Sequence, residues 1–242
     1  MSKKLFAVSD VHGHYSKMMQ ALADAGFDEK NEEHFFLSCG DLFDRGSENL
    51  LVYDFVRRLE RKILIKGNHE QRLSEVLKQG YITQREIDNH TDITIKELLG
   101  QDAIHKDGSI DVTVYAEKIG EITAFLDAML DYYETERLVF THGWLPVAFE
   151  GRRPYVDPCW RDVPPEEWDI VRDYQWQQFY SVGATLCGKT IVCGHRPASM
   201  GYLFDPMRAN DCPDPFYGDG MIAIDAWTVR SGLVNVLVAE EL

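Results

Sequence analysis

The chain has few features that would cross-link it covalently or hold it in a membrane. Its five cysteines are odd in number and none forms a CxxC pair, which predicts reduced thiols and excludes a disulfide framework or a thiolate zinc site. No apolar run approaches the roughly 20 residues of a membrane span. Asp10 also interrupts the first apolar run too early for a signal-peptide core. We therefore expect a cytoplasmic protein with no membrane partner.

Positive charge is also scarce. Only 25 lysines and arginines stand against 40 aspartates and glutamates, so the formal net charge is −15 at pH 7. Such a surface repels polyanions, and we expect no nucleic-acid partner. A protein this acidic needs metal ions or clustered arginines wherever it binds a phosphorylated substrate. The 242 residues suffice for one large domain over 1–242, and no linker or repeat divides them.

The chain as far as residue 70 alternates between strand and helix. Short apolar runs at 5–9, 34–39 and 62–66 predict strands, and helical spacing at 15–26 and 47–60 predicts two helices, the second with Ser47 as its N-cap. This order, with its short connections, predicts a parallel sheet. In open α/β sheets of this kind, ligands bind beyond the carboxyl ends of the strands.

The remainder of the chain divides into a helical segment and further strands. Residues of about 71–136 form a predicted helical insertion, with one apolar face made by Tyr115, Ile119, Ile122, Leu126 and Met129. Strands are predicted at 137–143 and 189–195, and the runs at 220–228 and 232–240 are predicted to pair as an antiparallel hairpin. The loop 199–220, rich in glycine, proline and aspartate, has the length that is more often functional than not.

Five predicted strand ends carry residues that can bind metal, each beside a glycine. They are Asp10 with His12 in "SDVHG", Asp41 in "GDLFDRG", Asn68 with His69 in "GNHE", His142 in "THG" and His195 in "CGH". Oxygen and nitrogen ligands without thiolate suit manganese, iron, zinc or similar ions. Asp10, His12 and Asp41 could hold one ion, and Asp41, Asn68, His142 and His195 a second. Two ions that share a ligand are suited to phosphate ester hydrolysis.

In this order, the motifs resemble those of the calcineurin-like metallophosphoesterases. More narrowly, they resemble the phosphoprotein phosphatase branch with its bacterial and lambda-phage Ser/Thr phosphatases. The resemblance spans Asp10 to His195, and "AIDAWT" is similar to the closing strand of the family. It implies an α/β fold, a four-layer sandwich of two mixed β-sheets flanked by helices. "GHRP" favours the phosphatase branch because it lacks the second histidine of "GHxH". Ser9 departs from the family, which usually has glycine there.

The resemblance also implies a role for each site residue. Two divalent ions per chain, expected to be Mn²⁺ with Fe, Zn or Mg as alternatives, would be held by Asp10, His12, Asp41, Asn68, His142 and His195. A hydroxide between the ions would attack phosphorus, and His69, oriented by Asp44, would protonate the leaving group. Arg45, Asn68 and the Arg161 of "CWRD" would hold the phosphate, Arg161 on a much shorter match.

The expected function is metal-dependent hydrolysis of phosphate monoesters, with a phosphopeptide or a small phosphate ester as the phosphorylated substrate. One alternative is symmetrical hydrolysis of dinucleoside tetraphosphates. Relatives with that activity typically have "GNHD" and lack the aspartate of "DRG", whereas this chain has Glu70 and Asp44. The other alternative is a non-catalytic protein that only binds a phosphorylated ligand, which the complete ligand set disfavours. His14, His34, His90 and His105 lie outside the motifs and are expected to be structural or on the surface.

Overall fold

Two β-sheets lie at the centre of the molecule, which a computed structural model describes over residues 3–204 and 212–241. In the first sheet the strand order is β11-β1-β2-β3. Its strands are β1 (Lys3–Val8), β2 (His34–Ser38), β3 (Lys62–Leu64) and β11 (Leu237–Glu241). β1, β2 and β3 are parallel, and β11 runs antiparallel to β1. The predicted parallel sheet is therefore present, with one antiparallel edge strand.

The second sheet has the strand order β4-β5-β8-β10-β9. Its strands are β4 (Tyr132–Glu134), β5 (Leu138–Thr141), β8 (Thr190–Cys193), β9 (Phe216–Gly218) and β10 (Met221–Ala223). β5, β8 and β10 are parallel, and the two edge strands are antiparallel to their neighbours. A separate hairpin joins β6 (Val147–Glu150) to β7 (Arg153–Val156).

Helices cover the outer faces of both sheets. Those in the first part of the chain are α1 (Tyr15–Asp24), α2 (Asn49–Arg58), α3 (Asn68–Gln79), α4 (Gln84–Asp88), α5 (Thr91–Leu99) and α6 (Ala116–Asp127). Those in the second part are α7 (Pro165–Val171), α8 (Trp176–Tyr180) and α9 (Thr228–Ser231), with 3₁₀ turns at Trp160–Asp162 and Ala198–Phe204. Among the described residues, no helix is long and apolar enough to cross a membrane.

The buried side chains divide into three layers that follow from the alternation along each strand. In β1, Leu5 and Ala7 face the second sheet and pack with Phe140, Val192 and Ile224. The opposite face of the first sheet packs on helices α1, α2, α3 and α6, and the outer face of the second sheet packs on Trp144, Trp176 and neighbouring aromatic residues. Both faces of the parallel strands are therefore buried, which explains their nearly continuous apolar sequences. The predicted four-layer sandwich is confirmed.

The predicted hairpin at the end of the chain is wrong. The two runs lie in different sheets, because β10 pairs with β8 while β11 pairs with β1. Between them the chain turns at Trp227, which has a left-handed φ of 55°, and enters α9. At the edge of the first sheet, β11 pairs with β1 at five positions. Local alternation does not reveal which sheet edge a strand will join.

Other boundaries differ in smaller ways. Helix α2 begins at Asn49 with Glu48 as the N-cap, in place of the predicted Ser47. The Asn49 side chain bonds to the preceding loop, where it accepts from Asp44 N–H and donates to Gly46 O. The segment predicted to be helical contains α3 to α6, but its last residues form β4, since Tyr132 and Glu134 pair with β5. Residues 205–211 of the long loop lie outside the described residues, and the flanks contain a 3₁₀ turn and β9.

The layer between the sheets supplies a first prediction. Phe140 is fully buried there, so Phe140→Ala should lower the free energy of unfolding by about 3–5 kcal/mol, the usual loss for a buried phenylalanine. Phe149, whose side chain is 61 % exposed on β6, is the matched control, and Phe149→Ala should change stability by less than about 0.5 kcal/mol. Urea unfolding of both variants tests this, and similar losses would contradict the face-to-face packing.

Candidate metal centre and general-acid site

The carboxyl ends of six parallel strands face one region of the molecule. In the first sheet, Asp10, Asp41 and Asn68 follow β1, β2 and β3; in the second, His142, His195 and Asp225 follow β5, β8 and β10. Backbone hydrogen bonds join the strand ends, since Asp10 N–H donates to Gly40 O at 3.0 Å and Gly194 N–H donates to His142 O at 2.9 Å. All the predicted metal ligands thus reach one place.

A first group of possible ligands surrounds one oxygen of Asp41. His12, Asp41 and His69 each offer an atom within 4.8 Å of the other two. The distance from His12 Nε2 to Asp41 Oδ2 is 3.8 Å, and Asp10 Oδ1 lies 3.9 Å from the same nitrogen. Asp10, His12 and Asp41, the predicted ligands of the first ion, are therefore adjacent and buried.

A second group surrounds the other oxygen of Asp41. His142 Nε2 is 3.3 Å from Asp41 Oδ1, and His195 completes a set of three possible ligands within 4.8 Å of one another. Asn68 Oδ1 lies 2.9 Å from His142 Nε2 and 3.1 Å from His195 Nδ1. The two oxygens of Asp41 thus face two different groups, as a shared ligand requires. Carboxylate, imidazole and amide donors together fit a borderline divalent ion.

Strained backbone brings several of these ligands into place. Asp10, His12, Asp41 and His195 have left-handed φ values of 53°, 49°, 56° and 64°. Residues with a Cβ adopt this conformation rarely and at a cost in free energy, and such residues cluster at functional sites. Cross-strand contacts hold them, as when His12 N–H donates to Asp41 O at 3.0 Å.

Backbone carbonyls orient two of the imidazoles. Nδ1 of His12 lies 3.0 Å from Phe43 O, and Nδ1 of His142 lies 2.8 Å from Cys39 O. A carbonyl can only accept, so in each ring Nδ1 carries the proton. In the neutral form of each ring, Nε2 is then the nitrogen left to bind a metal ion, and it faces Asp41.

Glu70 is a structural member of the site that motif reading left without a role. Its buried carboxylate accepts hydrogen bonds from the N–H groups of Asp41, Leu42 and Gly67 at 2.7–2.8 Å. The loops that follow β2 and β3 are thereby locked together, which fixes the position of Asp41. The signal in the sequence is the capping-box spacing, with Gly67 as the N-cap of α3 and Glu70 at its third position.

Asp225 is a second residue that the sequence analysis missed. Ala223 pairs with Cys193, so Asp225 stands beside His195 at the end of the neighbouring strand. Burial and the nearby Asp10 raise the pKa of Asp225 well above its usual range, and burial likewise raises the pKa of Asp10 to about 6. A bound cation would favour the ionised form of both carboxylates, so their crowding fits a metal site. The signal was a sixth polar residue just after a short apolar run.

His69 and Asp44 form the predicted pair beside this centre. His69, the second residue of α3, donates from Nδ1 to Asp44 Oδ2 at 2.8 Å, and both side chains are buried. Burial acts to lower the pKa of His69, but Asp41 and the bond to Asp44 outweigh it and the pKa is raised. The pKa shift of His69 thus has the direction that a general acid requires.

The two arginines predicted to hold phosphate lie in different surroundings. Arg45 follows Asp44 and places a guanidinium nitrogen 3.3 Å from His69 Nε2. Arg161 instead donates through two nitrogens to Glu134 on β4, and its guanidinium lies 4.2 Å from the ring centre of Trp160. The structure therefore brings Arg45 to the site and pairs Arg161 with an edge strand. Arg196 adjoins His195, and its buried Nε has no acceptor among the described residues.

Comparisons with known proteins agree with this geometry. The sequence profile of the family described as calcineurin-like phosphoesterase matches residues 3–223. Shewanella-like protein phosphatase 1 of Plasmodium berghei is 24 % identical over 155 residues, which is 59 % of this chain and 39 % of that protein. Serine/threonine-protein phosphatase 1 of Salmonella typhimurium is 33 % identical over 69 residues, which is 28 % of this chain and 31 % of that protein. The matches thus span less than half of each relative.

Solved structures share the fold across nearly the whole chain. A Saccharomyces cerevisiae serine/threonine phosphatase with similarity to human PP5 superposes with a TM-score of 0.57 at 12 % identity, covering 99 % of this chain and 79 % of that one. A candidate diadenosine tetraphosphatase gives 0.52 at 13 % identity, covering 99 % and 94 %. A cold-active protein tyrosine phosphatase gives 0.53 at 17 % identity, covering 98 % and 73 %. At these identities the likeness concerns the fold alone.

The position of Asp41 between the two ligand groups leads to a prediction about metal content. Asp41→Asn should weaken the binding of both ions by at least about 100-fold, because the amide supplies one neutral oxygen where the carboxylate supplies two charged ones. Elemental analysis after reconstitution with Mn²⁺ and desalting measures this. Asp102→Asn, at an exposed position outside the site, should retain wild-type metal. Two ions per chain in Asp41→Asn would remove Asp41 from the shared position.

Proposed function

The chain belongs to the calcineurin-like phosphoesterase family, and on that premise we propose that it hydrolyses phosphate monoesters with a dinuclear metal centre. One observation carries the proposal. Nε2 of His69 lies 3.3 Å from a guanidinium nitrogen of Arg45 and 3.9 Å from Asp41 Oδ2. A proton donor, an anion-binding group and the shared metal ligand therefore surround the same space, which is where a phosphoryl group would bind.

The residues divide the chemistry between them. Asp10, His12, Asp41, Asn68, His142 and His195 would hold two divalent ions, proposed to be Mn²⁺. Such ions supply Lewis acidity and an activated water. Arg45 would bind phosphate oxygens through its planar guanidinium. Asn68, whose Oδ1 lies beside His142 and His195, would add a second phosphate contact. As the ester P–O bond breaks, His69 transfers its Nε2 proton to the leaving oxygen, and water supplies the oxygen that joins phosphorus.

Asp44 keeps His69 ready for this transfer. Its carboxylate accepts the Nδ1 proton of His69, so the opposite nitrogen, Nε2, is the one presented to the substrate. The negative charge of Asp44 also stabilises the imidazolium form before the proton is delivered. Both residues belong to motifs that the sequence analysis identified, and the 2.8 Å bond between them supports their proposed roles.

We propose phosphoserine and phosphothreonine residues in proteins as the substrate class. Both curated relatives are named as protein phosphatases, one of them for serine and threonine. The described flank of the long loop also carries the exposed Asp214, just before β9 at the carboxyl end of β10, which would repel a polyphosphate and attract basic residues of a phosphopeptide. Asp219 lies in the turn between β9 and β10, at the opposite edge of the sheet. Asp205, Arg208 and Asp211 of the same loop lie outside the described residues.

Symmetrical hydrolysis of dinucleoside tetraphosphates is the second candidate. The superposition on a candidate diadenosine tetraphosphatase covers 99 % of this chain, but its 13 % identity reflects fold only. Asp44, which relatives with that activity typically lack, is present here and bonded to His69. A protein that binds phosphorylated ligands without turnover is the third reading, and the complete set of ligands with an oriented acid argues against it.

The substrate class is tested by comparing two substrates at equal metal concentration. We expect kcat/KM for a phosphoserine or phosphothreonine peptide to exceed that for diadenosine tetraphosphate, because a monoester needs only the metal centre and the arginine clamp. Asp41→Asn, assayed in parallel, should be inactive and so excludes a contaminating phosphatase. If the dinucleotide is cleaved at least about tenfold more efficiently, the monoesterase proposal fails.

The phosphate-binding arginines are tested by single substitutions to alanine. Arg45→Ala should raise KM, lower kcat and weaken inhibition by inorganic phosphate, since the guanidinium beside His69 would contact the phosphate in both the ground and the transition state. Arg161 keeps its proposed role only if it leaves Glu134, whereas Arg196 adjoins His195. We therefore expect a larger rise in KM for Arg196→Ala than for Arg161→Ala. The opposite order would return the second phosphate contact to Arg161.

A further inference from the structure

A segment of the helical insertion contacts the loop that carries Asp44 and Arg45. It runs from Asn89 to Glu97, includes most of α5, and matches none of the motifs identified in the sequence. Arg45 N–H donates to Asn89 O at 3.1 Å, and His90 Nδ1 donates to Arg45 O at 3.0 Å. Three α5 side chains, at positions 91, 94 and 97, extend these contacts along one face of the helix.

Two threonine hydroxyls hold the carboxylate of Asp44. Thr91 Oγ1 donates to Oδ2 at 2.8 Å, and Thr94 Oγ1 donates to Oδ1 at 2.7 Å. His69 donates to Oδ2 as well, so both oxygens are bonded and the carboxylate cannot rotate without breaking a hydrogen bond. Thr94 and Asp44 are fully buried, and Thr91 is 1 % exposed. Water cannot readily replace a lost hydroxyl there, and an unbonded buried carboxylate oxygen is costly.

The backbone of the same loop needs external support. Asp44 and Arg45 are consecutive residues with left-handed φ values of 71° and 64°. Such residues persist only where surrounding contacts determine their conformation. Asn49 supplies one contact, accepting from Asp44 N–H at 2.9 Å, and Glu97 in turn accepts from Asn49 Nδ2 at 3.3 Å. The segment 89–97 therefore supports the loop both directly and through Asn49.

We propose that Thr91 and Thr94 are positioning residues for the general acid. They hold Asp44 so that Oδ2 keeps the Nδ1 proton of His69 and Nε2 stays directed at the leaving oxygen. The two hydroxyls and the imidazole together fix the plane of the Asp44 carboxylate. The inference rests on the proposed function, and it gives the insertion a part in the reaction beyond packing.

The test replaces each hydroxyl with a methyl group of similar size. Thr94→Val should lower kcat for a phosphoserine peptide by about tenfold, the scale of losing one hydrogen bond to a charged group. The loss should be smaller for p-nitrophenyl phosphate, whose leaving group needs little protonation. Thr91→Val should show the same dependence on leaving group. Thr94→Ser retains a hydroxyl and should restore the peptide activity.

Matched variants separate positioning from general destabilisation. Thr123 on α6 is also a threonine of the insertion, is 8 % exposed, and donates to Ile119 O rather than to Asp44. Thr123→Val should leave the ratio of the two kcat values unchanged, whatever it does to Tm. In a His69→Asn background, Thr94→Val should cause no further loss, since the group that it positions is gone. Equal losses on both substrates, or a full further loss in that background, would overturn the proposal.

A measurement without substrate completes the test. With ¹⁵N-labelled histidine, and His69→Asn to assign the signal, NMR reports how fast the Nδ1 proton of His69 exchanges with water. We expect faster exchange in Thr94→Val and wild-type exchange in Thr123→Val and Thr94→Ser. Unchanged exchange in Thr94→Val overturns the positioning role. If the wild-type protein hydrolyses neither phosphate ester, the proposed function fails, and the exchange rates still decide whether the threonines hold the pair.

Discussion

The arrangement of the site depends on one carboxylate, that of Asp41, whose two oxygens face two groups of ligands. The oxygen Oδ2 lies near His12 and His69, and Oδ1 lies near His142. The carboxylate can serve both only if the residues that follow β1, β3 and β5 approach it closely. Gly67 permits this, because a Cβ there would lie 2.2 Å from Asp41 Oδ1. Glu70 then fixes the loop by accepting from the backbone of Asp41, Leu42 and Gly67.

The two sheets also approach each other closely at Asp10, where a second glycine is required. A Cβ on Gly194 would lie 1.8 Å from Ser9 Oγ, so the chain after β8 must be glycine at this point. Ser9 itself donates to Asp10 Oδ2 at 2.5 Å, and His195 N–H donates to the same oxygen at 2.9 Å. The serine that departs from the family pattern is thus part of the support of a ligand. It leaves the other oxygen, Asp10 Oδ1, turned toward His12.

The proposed general acid depends on three parts of the chain that are far apart in sequence. The "DRG" loop supplies Asp44, the start of α3 supplies His69, and α5 supplies the hydroxyls that bind Asp44. The insertion therefore has two faces with different tasks. Its apolar side chains, such as Ile95, Leu98 and Ile122, pack into the core, and its polar face binds the loop that carries Asp44 and Arg45. A family motif can be complete and still depend on a support that lies outside it.

The sequence by itself determined the parts that depend on local order. Apolar runs marked the parallel strands, and polar residues after five of them marked the candidate ligands, because every such strand must end at the same edge of its sheet. Tertiary structure alone decided that β10 and β11 lie in different sheets, that Arg161 pairs with Glu134, and that Thr94 binds Asp44. Arg161 and Glu134 are 27 positions apart, Thr94 and Asp44 are 50 apart, and β11 pairs with the strand at the other end of the chain. A hydroxyl or a guanidinium carries no local sign of its partner, so only the folded chain selects it.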